Sequence, residues 1–422
     1  MSQGVGAVAL RVRCRVDVRA DVMAGAVAGV SQNCTMDVDQ AVALLGGLSA
    51  AGFMRRHWQK KPLLVRQAWP GVCPPLPRAA LFELAGSDSV ESRLVQRVGF
   101  GQALDGTAAA WRVRCGPLPR RAFPALSKPG WTLLVQGLDL HVPAAHELLQ
   151  RFRFVPDARL DDLMVSWASP GGGVGAHIDR YDVFLLQVQG RRRWRVAKIA
   201  RRPRPLFVEG APLKLLQHFE ATDEWLLEAG DMLYLPPGWA HEGTADGGDC
   251  MTCSIGFRAP AADELARELL LRLADEADDN AAYGPRIYRD PKQPATATPA
   301  ALPADLLAFA REALERQLAD PRALPRLLGE VMTEPKAHVF FKGRNKRVGG
   351  LQLDAGTRML YDASHVFVNG EAFAAGGRDA TLMRKLADCR QLSAADRARL
   401  SAPAAELLAA WIDTGWLHGG RR

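Results

Sequence analysis

GGGVGAHID (171–179) and GDMLYLPPGWAH (230–241) are the two stretches that decide how this chain is read. They contain His177, Asp179 and His241, a His-x-Asp pair and one distant histidine. Two imidazoles and one carboxylate form the set that holds Fe(II) on one face and leaves the opposite face open. Residues i and i+2 of a strand point the same way, so His177 and Asp179 can reach one ion. His241 lies 62 positions beyond Asp179 (241 − 179), so it must arrive on another strand of a closed or sandwiched sheet. Ligand type leaves zinc or manganese open as alternatives. The chemistry this arrangement favours is a metal-dependent oxygenation.

The flanking spacings are informative too. Gly171 stands six positions before His177, and the second stretch reads G-x5-P-x-G-x2-H, ending on His241. Both resemble the paired motifs of the cupin-type double-stranded β-helix. In these motifs a tight turn aims one strand at the barrel mouth, and Pro-Pro-Gly fixes where the histidine enters. Cupins tend to carry His-x-His with a glutamate, so His-x-Asp points to the iron and 2-oxoglutarate branch.

GRRRWRV (190–196) supplies a second clue. Alternation puts Arg192, Trp194 and Val196 on one face and Arg191, Arg193 and Arg195 on the other. The face with Trp and Val is the interior one, which sends Arg192 into the barrel. A buried guanidinium needs an anion. The distal carboxylate of 2-oxoglutarate would serve through a two-pronged contact, and a structural Asp or Glu is the competing partner. In DDLMVSWASP (161–170), Met164, Ser166 and Ala168 share a face, so Ser166 could assist the same carboxylate or bond to backbone. The outward arginines read as a solvated basic face, with ribosomal RNA contact as a further option.

The 422 residues suffice for two or three domains, and 48% hydrophobic with 24% charged residues is the balance of a globular protein with a core. No uncharged run reaches the roughly 18 residues of a membrane span. The net charge of +8 suits a partner bearing phosphates as well as a merely basic surface. Seven scattered cysteines do not read as a disulfide framework and suggest reduced thiols in a cytoplasmic protein. Cys250-Met-Thr-Cys253 is a lone CxxC in an extended segment, where i and i+3 face opposite sides.

Along the chain, residues 1–35 read as a disordered extension. From Met36 the pattern gives a helix, a second short helix and a strand at LLVR (63–66), then many short apolar runs broken by Pro and Gly. Such a run of short strands over 36–258 predicts a jelly roll. Helical spacing and a Pro-rich connector occupy 259–335. A last unit, 336–422, has strands at HVFF, LQL and MLY, a hairpin turning on Asn369-Gly370, and closing helices.

RHWQKKPLLV (56–65), DDLMVSWASPGGGVGAHIDRYDVFLLQ (161–187), GRRRWRV, GDMLYLPPGWAHEG (230–243) and SIGFRAP (254–260) together resemble the bacterial JmjC-type ribosomal oxygenases, which are arginine hydroxylases. The resemblance implies a mixed α+β fold: a JmjC double-stranded β-helix, a helical dimerisation region and a winged-helix-like C-terminal domain. It implies Fe(II) on His177, Asp179 and His241, 2-oxoglutarate on Arg192, and dioxygen as oxidant. It also implies a homodimer whose substrate is an arginine β-carbon of the large-subunit ribosomal protein numbered sixteen. Many JmjC enzymes use a lysine where Arg192 stands, so the arginine favours this branch. An arginine substrate needs a carboxylate or aromatic partner, and Tyr181 and Asp182 are the nearest candidates by sequence. A related oxygenase with another protein substrate, or a non-catalytic ribosome-binding protein, would share parts of this pattern.

Overall fold

The computed structural model describes residues 37–98, 110–199, 204–279, 287–343 and 349–419; the expected extension 1–35 lies outside them. The first body opens with α1 (Ala50–Arg56), β1 (Leu63–Val65), α2 (Arg78–Leu84), β2 (Ser92–Arg97), β3 (Trp111–Cys115), β4 (Trp131–Val135) and α3 (Pro143–Gln150). It continues with β5 (Leu160–Ala168), β6 (His177–Ile178), β7 (Val183–Gln189), β8 (Arg192–Lys198) and β9 (Asp223–Leu227). It ends with β10 (Met232–Leu235), β11 (Trp239–Ala245) and β12 (Cys250–Phe257). The helix expected just after Met36 is only a single 3-10 turn, Ala43–Leu45, because Gly46 takes a left-handed conformation and stops it.

Two antiparallel sheets form the barrel. The larger runs β1-β10-β7-β12-β5-β4-β2-β3 and the smaller β6-β11-β8-β9. The larger sheet is buried on both faces, and this is why β7 reads VFLLQVQ with six consecutive buried residues. Its outer face, with Phe184, Leu186, Val165 and Trp167, packs under Phe53 of α1 and Leu148 and Leu149 of α3. Its inner face, with Val183, Leu185, Leu233 and Leu235, meets Trp194, Val196 and Leu227 of the smaller sheet. Leaving any of these large side chains in water would cost about 1.5–3 kcal/mol each. Val183, Leu185 and Trp194 of this inner cluster also line a cavity inside the barrel.

β12 and β5 pair Cys250 with Ala168, Thr252 with Ser166, Ser254 with Met164, and Gly256 with Asp162. Cys250 and Cys253 are both buried in β12, and burial pushes the Cys253 thiol up to about 12. The free thiols among the described residues are Cys73, Cys115, Cys250 and Cys253.

After the barrel come α4 (Ala262–Asp279), α5 (Ala304–Gln317) and α6 (Ala323–Thr333). The C-terminal unit contains β13 (Leu351–Leu353), β14 (Met359–Tyr361), β15 (His365–Val368), β16 (Glu371–Ala374) and α7 (Gly377–Cys389). It closes with β17 (Gln391–Leu392), α8 (Ala394–Arg397), α9 (Ala402–Thr414) and β18 (Leu417–Gly419). The hairpin β15–β16 turns on Asn369 and Gly370, both at positive φ. HVFF (338–341), expected as a strand, is turn and coil, and Phe340 is exposed. Among the described residues no helix is long and apolar enough to cross a membrane.

Candidate metal centre and its cavity

β6 is two residues long and pairs antiparallel with β11, so that His177 and His241 are direct cross-strand partners. Their ring centroids lie 4.3 Å apart. The strand stops one residue short of Asp179, but the chain stays aimed at the same point because Gly238 N–H donates to the Asp179 carbonyl at 2.9 Å. Asp179 Oδ1 sits 3.9 Å from His177 Nε2, and Oδ2 sits 3.6 Å from His241 Nε2. One ligand atom from each of the three lies within 4.8 Å of the others, close enough to hold one metal ion.

Each imidazole is oriented from behind. His177 Nδ1 is 2.9 Å from the Gly175 carbonyl, and His241 Nδ1 is 3.0 Å from the Trp239 carbonyl. Donation from Nδ1–H to these acceptors fixes the tautomer and leaves both Nε2 lone pairs facing the centre. Burial, reinforced by the adjacent His177 ring, lowers the His241 pKa to about 4, so it is the neutral, ligating form at physiological pH. Gly175 earns its place sterically: φ is +78°, and a Cβ there would lie 2.9 Å from both Leu215 and Trp111.

Arg192 enters the barrel as alternation predicts and is 5% exposed. Its Nη1 donates to Ser166 Oγ at 3.0 Å and to Thr252 Oγ1 at 3.3 Å, and its guanidinium lies over the Trp194 ring at 5.6 Å. Thr252 is itself oriented by donating to Gln187 Oε1 at 2.8 Å. Among the described residues no carboxylate reaches ion-pair distance of Arg192, and its buried Nε makes no hydrogen bond. The competing reading of Arg192, a structural ion pair, therefore has no support. A buried cation with a spare donor is an incomplete arrangement, and a carboxylate-bearing ligand completes it. Ser166 stands where the sequence puts it, on the inner face of β5 beside the cation.

The outward arginines are not a free basic face. Arg191 pairs with Asp246 at 3.1 Å, Arg193 with Glu224 at 2.7 Å and Asp246 at 3.0 Å, and Arg195 with Glu242 at 3.1 Å. Acidic residues on the flanking strands and the following turn neutralise them, leaving little charge for nucleic acid.

The triad and Arg192 share one cavity of about 440 Å³, which Met164, Ser166, Tyr181, Leu185, Trp194 and Ser254 also line. Gly243, opposite Trp194 in the β11–β8 register, makes room for it: a Cβ at 243 would fall 2.7 Å from the Trp194 ring. Tyr181 lines the cavity and is partly exposed at its mouth. Asp182 does not join it. Asp182 is fully buried on the far side of the sheet, where it accepts from Tyr234 Oη at 2.5 Å and Gln59 Nε2 at 3.0 Å and pairs with Arg159 at 3.4 Å. The expectation that it meets substrate is corrected: the side chain next to Tyr181 points the opposite way. The carboxylates that line the cavity besides Asp179 are Asp161 and Asp162, at the start of β5. Only the β5–β12 register brings them there, across a separation no local motif encodes.

Comparison with known proteins agrees with this geometry. A family model described as a JmjC domain matches residues 147–265, and one described as a ROXA-like winged helix matches 316–418. The chain is 37% identical to the ribosomal protein uL16 3-hydroxylase of Escherichia coli over 67% of its own length and 71% of that protein. It belongs to the JmjC ribosomal oxygenase family. A probable ribosomal oxygenase of Haemophilus influenzae is 36% identical over 50% of each chain. The structure of the Escherichia coli ribosomal oxygenase YcfD, in complex with cobalt and 2-oxoglutarate, matches with a TM-score of 0.71 at 30% identity, covering 88% of this chain and 98% of that one. The fold is thus the JmjC barrel with helices and a winged-helix C-terminal domain, and the family's chemistry is that of 2-oxoglutarate oxygenases.

Proposed function

We propose that the protein is an Fe(II)- and 2-oxoglutarate-dependent hydroxylase acting on the β-carbon of an arginine in ribosomal protein uL16. One observation carries the proposal: a buried arginine with no carboxylate partner among the described residues faces the same cavity as a two-histidine, one-aspartate cluster. Homology supports the substrate, since the Escherichia coli relative is named a ribosomal protein uL16 3-hydroxylase.

His177, Asp179 and His241 would hold Fe(II), and Arg192 with Ser166 would hold the distal carboxylate of 2-oxoglutarate. Bound iron, with 2-oxoglutarate and dioxygen, supplies the oxidising power that C–H hydroxylation demands. The chain's own work is positioning and exclusion of water. Ser166 and Asp162 are four residues apart on one face of β5, about 13 Å along the strand, with Met164 between them. That separation divides the cavity into a co-substrate end and a substrate end. At the substrate end, Asp162 offers a carboxylate to a guanidinium and Tyr181 offers an aromatic face, the pair of contacts an arginine side chain calls for. Val183, Leu185 and Trp194 keep the wall between the two ends apolar.

The wider assignment follows. Catalytic residues belong to 36–258, a helical region to 259–335 and the winged helix to 336–422. Leu270, Leu271, Leu307, Leu314, Leu318 and Leu324 of the helical region and its connections are exposed, an apolar surface that a second copy would cover to make a homodimer. A ribosomal substrate places the activity in the cytoplasm, close to ribosomal RNA. The deciding experiment incubates the protein with Fe(II), 2-oxoglutarate and uL16 and follows peptide masses. Gain of one oxygen on an arginine, with succinate released, is the expected result; no gain on any uL16 peptide would sink the proposal, and a gain on a different residue would redirect it.

A further inference from the structure

The winged-helix side of the molecule reaches the wall of the catalytic cavity. A second cavity, of about 70 Å³, lies at the seam between the barrel and the C-terminal unit, and Asp161 and Asp162 line both. Lys336, just beyond α6, bridges the two: Nζ is 3.0 Å from Asp161 Oδ1 and 3.4 Å from Asp162 Oδ2. Arg258 and Arg358 also approach Asp161 Oδ1, at 3.6 Å and 3.5 Å. Lys336 is the one cation among the described residues that pairs with Asp162.

The two oxygens of Asp162 are used differently. Oδ2 takes the Lys336 ammonium and the Gly137 N–H, the latter at 3.1 Å. Oδ1 accepts no hydrogen bond among the described residues, and it sits beside Gly256, where a Cβ would come within 3.5 Å of it. Gly256 lines the catalytic cavity, so the free oxygen is on the cavity side. Adjacent carboxylates repel, and burial raises the pKa of Asp162; Lys336 is the strongest influence drawing it back down.

We infer that Lys336 is a positioning residue for the substrate arginine: by fixing Oδ2 it holds Asp162 with Oδ1 turned to the incoming guanidinium. This rests on the arginine-hydroxylase reading above. It gives the seam between the domains a part in substrate affinity and none in binding iron or 2-oxoglutarate.

The test compares wild type with Lys336→Met and Lys336→Arg. It uses steady-state hydroxylation of a uL16 peptide, calorimetric peptide binding under anaerobic conditions, 2-oxoglutarate affinity and thermal melting. Loss of one charge-assisted contact should raise the peptide KM and Kd of Lys336→Met about tenfold, leaving kcat within about twofold. Its 2-oxoglutarate affinity should not change, and Lys336→Arg should recover most of the loss. Should Lys336→Met fail to fold, Lys336→Gln keeps a donor without the charge and carries the same expectation. Wild-type peptide affinity in the neutral variants would overturn the inference, as would an equal loss of 2-oxoglutarate affinity, which would mark a merely structural role. Absence of hydroxylation by the wild type is a separate outcome, and it overturns the underlying reading before any variant is compared.

Discussion

Arg192 donates to Ser166 Oγ at 3.0 Å across the interior of the barrel, joining the smaller sheet to the larger. The contact is between a cation and a neutral hydroxyl, so it leaves the charge uncompensated. The fold tolerates this only because Trp194 and Thr252 also touch the guanidinium. A ligand carboxylate would compensate the charge and engage the buried Nε.

Arg192→Met should therefore separate binding from stability. Losing a two-pronged charged contact is expected to weaken 2-oxoglutarate about 100-fold, equivalent to about 3 kcal/mol. Removing an unpaired buried charge should leave the melting temperature of the ligand-free protein unchanged or higher. Titration of 2-oxoglutarate and a thermal melt check both halves. Undiminished affinity would show that the co-substrate carboxylate lies elsewhere.

Asp182→Ala should do the reverse. Its carboxylate ties Gln59, Tyr234 and Arg159 together beneath the larger sheet. Truncation strands a buried phenol and a guanidinium, a loss of about 3–5 kcal/mol. Denaturant unfolding should register that loss, while the folded fraction keeps its affinity for 2-oxoglutarate. A variant as stable as wild type but unable to bind peptide would restore Asp182 to the substrate site.

How much of this was legible beforehand depends on the range of the information. The triad and Arg192 were readable because strand alternation and motif spacing are local, and the β6–β11 pairing of His177 with His241 only completes them. Tyr181 and Asp182 were candidates only for their nearness to the metal pair; the first lines the cavity, while the second is turned under the sheet. Asp162 was not legible at all. Its place opposite Gly256 depends on a register between strands nearly a hundred residues apart, and its partner Lys336 is farther still. The outward arginines looked like a basic surface because Glu224, Glu242 and Asp246 become their neighbours only on folding. HVFF has the composition of a strand, yet it pairs with none of the described strands.

Asp139 should impose a pH dependence on stability. It is 5% exposed in the turn Leu138–Leu140, accepts from Leu163 N–H at 2.9 Å, and burial raises its pKa from 3.8 to about 6. The folded state then binds the proton more tightly than the unfolded chain does. The stabilisation is full below pH 3.8 and is lost as pH rises through about 6. At about 1.4 kcal/mol per pKa unit, the whole loss is about 3 kcal/mol. Asp139→Asn keeps the acceptor and removes the titration. Wild-type stability relative to this variant should fall between pH 4 and pH 6.5 by an amount of that order. A difference that stays flat across that window would exclude Asp139 as the source.

Removing the carboxylate of the cluster gives the sharpest test of the centre itself. Asp179→Ala deletes a side chain whose ion-pair neighbours among the described residues are the two histidines, at 3.9 Å and 3.6 Å. The main-chain bond from Gly238 to residue 179 and the β6–β11 pairing do not depend on it, so the barrel should fold with its melting temperature nearly unchanged. Two neutral imidazoles alone lack the anionic third ligand of the facial set, and Fe(II) affinity should drop at least about 100-fold. Hydroxylation should disappear with it, and succinate release as well. Chelator treatment of the wild type followed by Fe(II) addition should remove and restore both signals, whereas the variant should recover neither at stoichiometric iron. Retention of metal and turnover by Asp179→Ala would mean that the ion is held by some other set of side chains.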